Sequence, residues 1–490
     1  ISTTHRFIEV AYAQCNEVIP MSAKPSSASA KDLSHLPAVD PEWPASWRNL
    51  PAGLGVGRYT DPGFTRLEFE KLWSRVWQVA ARLDEIPETG DYTTYRIGGQ
   101  SILLVRVDAD TVKAYYNVCP HRGTTLGNGC GHYEGGRIIC PFHGWRWDLA
   151  GNIQLVLERN EFAGGQLKDS DVAMREVNSV VYAGFIFINL SRDPESFDDF
   201  IAPMRRFLDD FVLVDMHHIW WKKCALPANW KVAQEAFYEA YHVSATHPQL
   251  EKVGSEVVYG DRTDGEMFYQ NLTYVAEKNG HGYFFGGEKT PIAGHVQEPS
   301  DSLIDDMAAR MNLTAEGLGA MILKDDIDLL LSLKEKDLPP NANMGAEYVK
   351  LQYETAARQQ RPMPKMTPEN IGRWGGVNVI FPNILILAQA GNAAIYRALP
   401  HPTDPNQCTF EIFSVKTYPA AVTPPRAEVQ VATDASDPEQ LGLIPRQDVG
   451  NIPRVQEGLL SGGLKHIWLA EKQESLIMNM HEHLDTYLRS

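Results

Sequence analysis

Two short stretches each pair a cysteine with a histidine: Cys119-Pro120-His121-Arg122-Gly123 and Cys140-Pro141-Phe142-His143-Gly144-Trp145. Eighteen residues separate His121 from Cys140. Each stretch offers one thiolate and one imidazole from a short loop, with a proline inside and a glycine after. A [2Fe–2S] cluster with two cysteines on one iron and two histidines on the other needs this mixed set, and neutral imidazoles raise its potential above that of an all-cysteine cluster. Zinc uses similar donors. Its usual spacing puts both cysteines in one pair and both histidines in the other. Here each pair is mixed, which favours the cluster. Cys130 and His132 lie between the pairs; the surrounding prolines and glycines favour the outer four.

A second set of candidate ligands lies in residues 229–250, NWKVAQEAFYEAYHVSATHPQL, which hold Glu235, Glu239, His242 and His247. Histidines five apart sit roughly 140° apart on an ideal helix. A zinc-peptidase pair is four apart with a glutamate between. One metal reaches both only if the helix ends or widens after His242, as a one-residue π-bulge would allow. Pro248 fits a disruption near His247. The competing reading is one packed and one exposed histidine. Glu239 lies three residues before His242 and shares roughly its helix face.

The elements that must position these groups read as α+β. Asp61-Pro62 opens a helix over 61–78 with Phe64, Leu67, Phe69 and Leu72 as its apolar positions. Strands follow at Tyr92–Ile97, Ser101–Val107 and Val112–Asn117, forming a small antiparallel β domain whose loops carry the Cys/His pairs. Val180–Asn189 reads as one buried strand closing it, and Ser191–Ser196 as a linker. Beyond lie a helix Asp199–Phe211, a strand Ile219–Leu226, a helix Trp230–Tyr241 and strands Met267–Ala276 and Gly282–Phe285. A helical insertion at 300–360 follows, with segments Asp301–Met311, Thr314–Ile322 and Ala346–Arg358. Strands return at Gly376–Phe381, Ile384–Gln389, Ala394–Leu399 and Cys408–Tyr418, before a last helix from about Gly463 to Leu488. The larger domain is expected to be an antiparallel sheet wrapped around that terminal helix, a helix-grip arrangement. The expected division is an N-terminal extension of little structure at 1–60, a cluster domain at 61–195 and a larger domain at 196–490.

The Cys/His pairs resemble those of Rieske iron–sulfur proteins, and of oxygenase Rieske domains in particular. Respiratory-chain members carry an extra cysteine beside each pair, and here Phe142 occupies the place of one. Asn229-Trp230-Lys231, then Phe237-x-Glu239-x-Tyr241-His242-x₄-His247, resembles the iron-binding segment of Rieske non-heme iron oxygenases. Gln447-Asp448 followed by Gln456-Glu457-Gly458-Leu459 resembles that family's C-terminal ligand motif. The competing reading of Asp448 is a solvated loop residue after Pro445-Arg446. The resemblance implies a [2Fe–2S] cluster on Cys119, His121, Cys140 and His143, and a mononuclear Fe(II) on His242, His247 and Asp448. Such a two-histidine, one-carboxylate triad leaves coordination positions open. It also implies that Glu239 bridges the two centres through hydrogen bonds. Many members have Asp at that position, and many have Asn where this chain has Ala236.

Sixty-two acidic against forty-five basic residues give a net charge of −17, which argues against nucleic acid and disfavours an anionic membrane surface. No apolar run reaches membrane-spanning length. Six cysteines, two claimed by a cluster, suggest no disulfide framework, and the expected compartment is a reducing cytoplasm. Met21 reads as the natural start, with residues 1–20 an upstream extension. No G-x-G-x-x-G fingerprint is evident, so electrons must come from a separate ferredoxin or reductase. The resemblance implies a head-to-tail homotrimer, with or without a beta subunit. It also implies a terminal oxygenase that uses O2 to mono- or dihydroxylate a small organic substrate. Phe237, Tyr238, Phe284, Phe285 and Phe381 suit an aromatic or apolar one, and equally suit core. Hydroxylation or dealkylation of a quaternary ammonium compound is the alternative, because aromatic cages bind such cations. A Rieske electron-transfer protein without oxygen chemistry is the remaining rival.

Overall fold

The structure is a computed structural model that describes residues 43–251, 268–286, 300–339, 342–365 and 376–490. The segment before residue 43, Met267 at the head of an expected strand, and the flanks of the expected insertion at 287–299 and 366–375 lie outside the described residues.

The helix expected after Asp61 forms where capping dictates. Asp61 accepts from the Gly63 N–H at 2.7 Å, Pro62 takes the first helical position, and the helix Pro62–Leu67 runs into a wider turn at Glu68–Trp73. A seven-stranded sheet follows, in spatial order Gln78–Arg82, Phe185–Asn189, Glu176–Tyr182, Val112–Tyr116, Gln100–Arg106, Asp91–Ile97 and Cys130–His132, with antiparallel neighbours throughout. Beside it lies a three-stranded sheet of Arg137–Ile139, Arg146–Asp148 and Ile153–Leu155. Val180–Asn189 is not one strand. It spans the end of one arm, the turn and the second arm of a hairpin, because Ala183 and Gly184 adopt φ of 51° and 78° and reverse the chain.

The larger sheet has eight strands, in order Leu272–Ala276, Gly282–Gly286, Val377–Ile380, Ile384–Ala388, Asn392–Pro400, Cys408–Thr417, Met216–Leu226 and Val429–Val431. Only the last pairing is parallel. Its apolar side chains share one core with Trp230, Val232 and Ala233 of the helix Trp230–Glu235 and with Leu476, Ile477, Met480, Leu484 and Leu488 of the C-terminal helix Ser475–Arg489. In the C-terminal helix these positions recur mostly every three or four residues, so one stripe faces the core, whereas the helix Trp230–Glu235 is buried on all sides. The fold is therefore α+β, with a small antiparallel domain and a larger curled sheet closed by the C-terminal helix.

Several boundaries differ from the sequence reading. The C-terminal helix starts at Ser475, not near Gly463; His466–Trp468 instead pairs with Gly53–Gly55. Residues 45–60, expected in an extension of little structure, thus hold two short strands and the helix Gly57–Thr60. In the insertion, Asp301–Met311 and part of Thr314–Ile322 fuse into one helix, Asp301–Gly317, and Lys324–Leu331 adds an unexpected helix. These pack with Met344–Arg358 around Ile304, Ile327, Leu330 and Leu351. The two sheets are stitched together by Arg397, which donates to the carbonyls of Val79 and Ala80, and by Asp84, which accepts from His218 Nδ1 at 2.6 Å. Among the described residues no helix is long and apolar enough to cross a membrane.

Candidate metal centres

The two Cys/His loops are built alike. The Cys119 N–H donates to the Thr124 carbonyl and the Gly123 N–H to the Cys119 carbonyl; Cys140 repeats this with Trp145 and Gly144. Gly123 and Gly144 take φ of 82° and 70°, a region that favours glycine, so the sequence repeat Cys…Gly is a backbone requirement. The first loop follows strand Val112–Tyr116, and the second joins Arg137–Ile139 to Arg146–Asp148.

Cys119 and Cys140 are buried, and the His121 and His143 rings stand 4.6 Å apart. His121 lies flat on Trp145, with ring centroids 4.7 Å apart, and Phe162 meets both edge-on. The Nδ1 atoms of both histidines are buried without a hydrogen-bond partner. Burial pushes the Cys119 thiol up, whereas at Cys140 the same burial is outweighed by the N–H groups of His143 and Phe142, which hold that thiol below its usual range. Burial, His143 and Arg122 lower the His121 pKa, favouring the neutral ring. Two buried thiols and two orphaned imidazole nitrogens in one pocket fit a cluster with two sulfur and two nitrogen ligands. Cys130 and His132 lie elsewhere, on the outer strand Cys130–His132. Cys130 is exposed, and His132 Nδ1 bonds Asp91 Oδ1 at 2.9 Å. Glu88, Asp91 and His132 come close enough to form a second potential ligand group, but Arg426 already lies 3.0 Å from Asp91.

The 229–250 segment folds differently from the expected helix. Asn229 caps the helix by accepting from the Lys231 N–H, and the helix stops at Glu235 rather than Tyr241. A non-helical stretch carries Glu239, and a short helix Val243–Thr246 follows, with His242 just before it and His247 just after. Helical geometry breaks once before His242, which was not expected, and again after it, at His247, where disruption beside Pro248 was expected; no π-bulge is needed. His247 has left helical geometry, at φ −126° and ψ 63°, so its ring turns back toward His242, 5.4 Å away between centroids.

Asp448 comes from a helix not expected from the sequence, Leu443–Leu460, and it is buried, unlike the solvated loop residue of the competing reading. Donor atoms of His242, His247 and Asp448 all lie within 4.8 Å of one another. Asp448 Oδ1 is 2.8 Å from His247 Nε2 and 3.7 Å from His242 Nε2. Both histidines have their other nitrogen engaged. His242 Nδ1 donates to Glu239 Oε1 at 2.7 Å, and His247 Nδ1 donates to Gln447 Oε1 at 2.8 Å. Both Nε2 atoms face the Asp448 carboxylate, His247 Nε2 at hydrogen-bond distance; with the ring protons on Nδ1, both Nε2 lone pairs would be available to a divalent ion bound beside that carboxylate. Desolvation lowers the His242 pKa, but Glu239 and then Asp448 outweigh it and leave the ring above its usual value. Glu239 also accepts from the His242 backbone N–H through Oε2 at 2.9 Å, so within one chain both of its oxygens serve His242. The role of Gln447 was missed; its position directly before Asp448 was the available signal. Glu235 lies elsewhere, buried against Tyr59 and His481, and burial pushes its carboxyl up to about 8.

The family model of the Rieske [2Fe-2S] domain matches residues 76–164, and that of the ring hydroxylating alpha subunit (catalytic domain) matches residues 213–318 and 335–490, more than half of the chain. The chain belongs to the ring-hydroxylating alpha-subunit family. It is similar to the glycine betaine monooxygenase oxygenase subunit of Chromohalobacter salexigens, 30% identical over 229 residues that make up 46% of this chain and 49% of the relative. The carnitine monooxygenase oxygenase subunit of Escherichia coli (strain K12) is 34% identical over 196 residues, 39% of this chain and 50% of the relative. The chain thus spans about half the length of the curated relatives it matches. In fold it is similar to the quaternary ammonium Rieske monooxygenase crystallised with L-carnitine, at a TM-score of 0.57 and 16% identity over 88% of this chain and 94% of that one. As a member of this family of Rieske non-heme iron oxygenases, the chain combines the Cys/His ligand pocket with a separate His/Asp metal-binding group.

Proposed function

We propose that this chain is a terminal oxygenase. Cys119, His121, Cys140 and His143 would hold a [2Fe–2S] cluster as the point of electron entry, and His242, His247 and Asp448 would hold a ferrous ion as the site for O2. The observation that carries this reading is the convergence of two Nε2 atoms and one carboxylate, with both Nδ1 atoms already bonded elsewhere. Once bound, the cluster supplies one-electron transfer and the ferrous ion supplies open positions for O2.

The chain's own residues do the rest. Glu239 and Gln447 orient the ligand rings, and the buried Asp448 supplies the negative charge that a divalent ion needs. Glu239 links the two centres, with the cluster contributed by a neighbouring subunit in a head-to-tail homotrimer, a heterologous contact that closes into a ring. Exposed apolar side chains favour such a contact: Val118, Ile139, Phe142 and Leu157 flank the cluster loops, and Tyr241 adjoins His242. The electron donor is a separate ferredoxin or reductase, and the compartment is a reducing cytoplasm.

For the substrate, a quaternary ammonium compound has more support than the aromatic one favoured by sequence alone, because the relatives reported above carry betaine and carnitine in their names. Phe237, Tyr396 and Phe410 form a stack close to the site, with Phe237 4.7 Å from Tyr396. Tyr396 is near enough to Asp448 that the carboxylate adds to burial in raising its phenol pKa. All three are buried core residues stacked on one another, so a cation would meet only the ring surface that the stack leaves uncovered. Two electrons, two protons and O2 convert one C–H bond to C–OH and release water. Where that carbon is bonded to the ammonium nitrogen, the C–N bond then breaks, giving a carbonyl compound, a tertiary amine and a proton.

The test is O2 uptake by the metal-loaded protein with a surrogate reductase. Methylated ammonium compounds are compared with aromatic acids and polycyclic hydrocarbons. Amine and aldehyde released in step with O2 would support the ammonium reading. Uptake with aromatic compounds alone would overturn it, and no uptake from any of them with both centres loaded would count against an oxygenase.

A further inference from the structure

The two histidines of the triad are not held alike. His242 Nδ1 donates to a carboxylate, that of Glu239, whereas His247 Nδ1 donates to a neutral amide, that of Gln447. That amide is itself held. Gln249 Nε2 donates to Gln447 Oε1 at 2.8 Å, and Gln447 Nε2 donates back to Gln249 Oε1 at 3.3 Å. Gln249 lies two residues after His247 and Gln447 one residue before Asp448, so the pair ties the two ligand-bearing segments together.

We infer that Gln447, oriented by Gln249, is a positioning residue that keeps the His247 proton on Nδ1 and thereby leaves Nε2 open to the metal. This rests on the ligand set proposed above. His247 is 2% exposed, so water cannot replace a lost acceptor for its Nδ1–H. Turned over together, the two amides would present an N–H to Nδ1. The ring proton would then move to Nε2, 2.8 Å from Asp448 Oδ1, and close that nitrogen to a metal. The amide pair thus selects the tautomer. Outer partners of ligating histidines act in this way, and their loss commonly weakens metal binding about 10–100-fold.

The test is Co(II) titration of protein stripped of its mononuclear metal, read by the visible d–d bands, with the cluster spectrum as the check on folding. Gln447→Leu should bind Co(II) about 10–100-fold more weakly with shifted bands. Gln447→Glu, which keeps an acceptor, should restore wild-type bands. Gln249→Leu should weaken binding by a smaller factor than Gln447→Leu. Wild-type affinity and bands in Gln447→Leu would overturn the inference. So would equal losses in Gln447→Leu and Gln447→Glu, which would mark a packing role. Should Gln447→Leu fail to fold, Gln249→Leu and Gln447→Glu decide by the same criteria. His247→Ala separates the two levels. If it too binds Co(II) normally, the ligand set itself is wrong; if it alone loses Co(II), only the role of Gln447 fails.

Discussion

Replacing Glu239 by glutamine removes a charge while leaving the side chain almost the same shape, and the hydrogen bonds say what should follow. Glu239 Oε1 accepts from His242 Nδ1 and Oε2 from the His242 backbone N–H, at 2.7 and 2.9 Å. A carboxylate is an acceptor at both oxygens, whereas an amide has one acceptor and one donor end. Whichever way the new amide turned, one of its N–H groups would face another N–H. An orphaned donor costs about 1–3 kcal/mol, and the surviving bond loses its charge assistance, about 1 kcal/mol more. The His242 side chain is 23% exposed, so water relieves part of this. A net loss of about 2 kcal/mol corresponds to roughly 30-fold weaker metal binding. The assay is Fe(II) or Co(II) titration at the mononuclear site, with the cluster absorption as internal control. Glu239→Asp retains two acceptor oxygens and should lose less. Binding of Glu239→Gln within about threefold of wild type would refute the claim that the carboxylate holds the His242 tautomer.

Asp448→Ala should lose the mononuclear metal while the visible cluster spectrum persists, and Cys140→Ala or His143→Ala should do the reverse; metal analysis with absorption spectra reads both. Lys231 and Glu68 form a fully buried ion pair at 2.6 Å, so Lys231→Met should cost about 3–5 kcal/mol in urea unfolding by stranding the carboxylate. Adding Glu68→Leu should recover most of that loss. Burial alone would push the Asp84 carboxyl up, but Arg82 and His218 outweigh it and hold it well below the usual range. A depressed native pKa means that the unfolded chain binds the proton first. The stabilisation is therefore present above about pH 4 and is lost as pH falls further. The stability gap between wild type and Asp84→Asn, measured by urea midpoints, should accordingly narrow with acidification.

Strands such as Ile384–Ala388 and Cys408–Thr417 were legible because runs of β-branched and aromatic residues lie between turn residues, and their ends agree within a residue or two. The Ala183-Gly184 reversal was not, because a non-glycine residue at positive φ leaves little trace in the sequence. The helix Leu443–Leu460 was hidden by Pro445, Gly450 and Pro453. Pro445 sits in the first turn, where its missing N–H has no intrahelical partner to lose, so it does not oppose the helix. The strand Gly53–Gly55 depends on pairing with His466–Trp468, hundreds of residues away, and no local pattern encodes such a partner. The candidate ligands come together although the backbone between them differs from expectation. Cys119, His121, Cys140 and His143 share one pocket, and His242, His247 and Asp448 share another, because donor type and spacing survive errors in where a helix ends.

That backbone between ligands explains the rest of the site. A continuous helix would splay His242 and His247 roughly 140° apart. The chain instead breaks helical geometry after Glu235 and again at His247. Helical hydrogen bonds that would have fixed the ligands are thereby given up, and side-chain ties must replace them. They do so from both flanks. Glu235, at the end of the first helix, is bonded to Tyr59 at 3.0 Å and to His481 of the C-terminal helix at 2.7 Å. At the other end of that helix, the Asn229 N–H donates to Gln456 Oε1 at 3.0 Å. Gln456 lies on the same helix as Asp448, two turns further along, so one rigid element both supplies the carboxylate and clamps the start of the histidine segment. The carboxylate cannot shift along its helix axis without pulling on the element that leads to the histidines. A segment with little regular structure can therefore hold two histidines in fixed relation to a helix-borne carboxylate, because the constraint comes from the helices on either side and not from the segment itself.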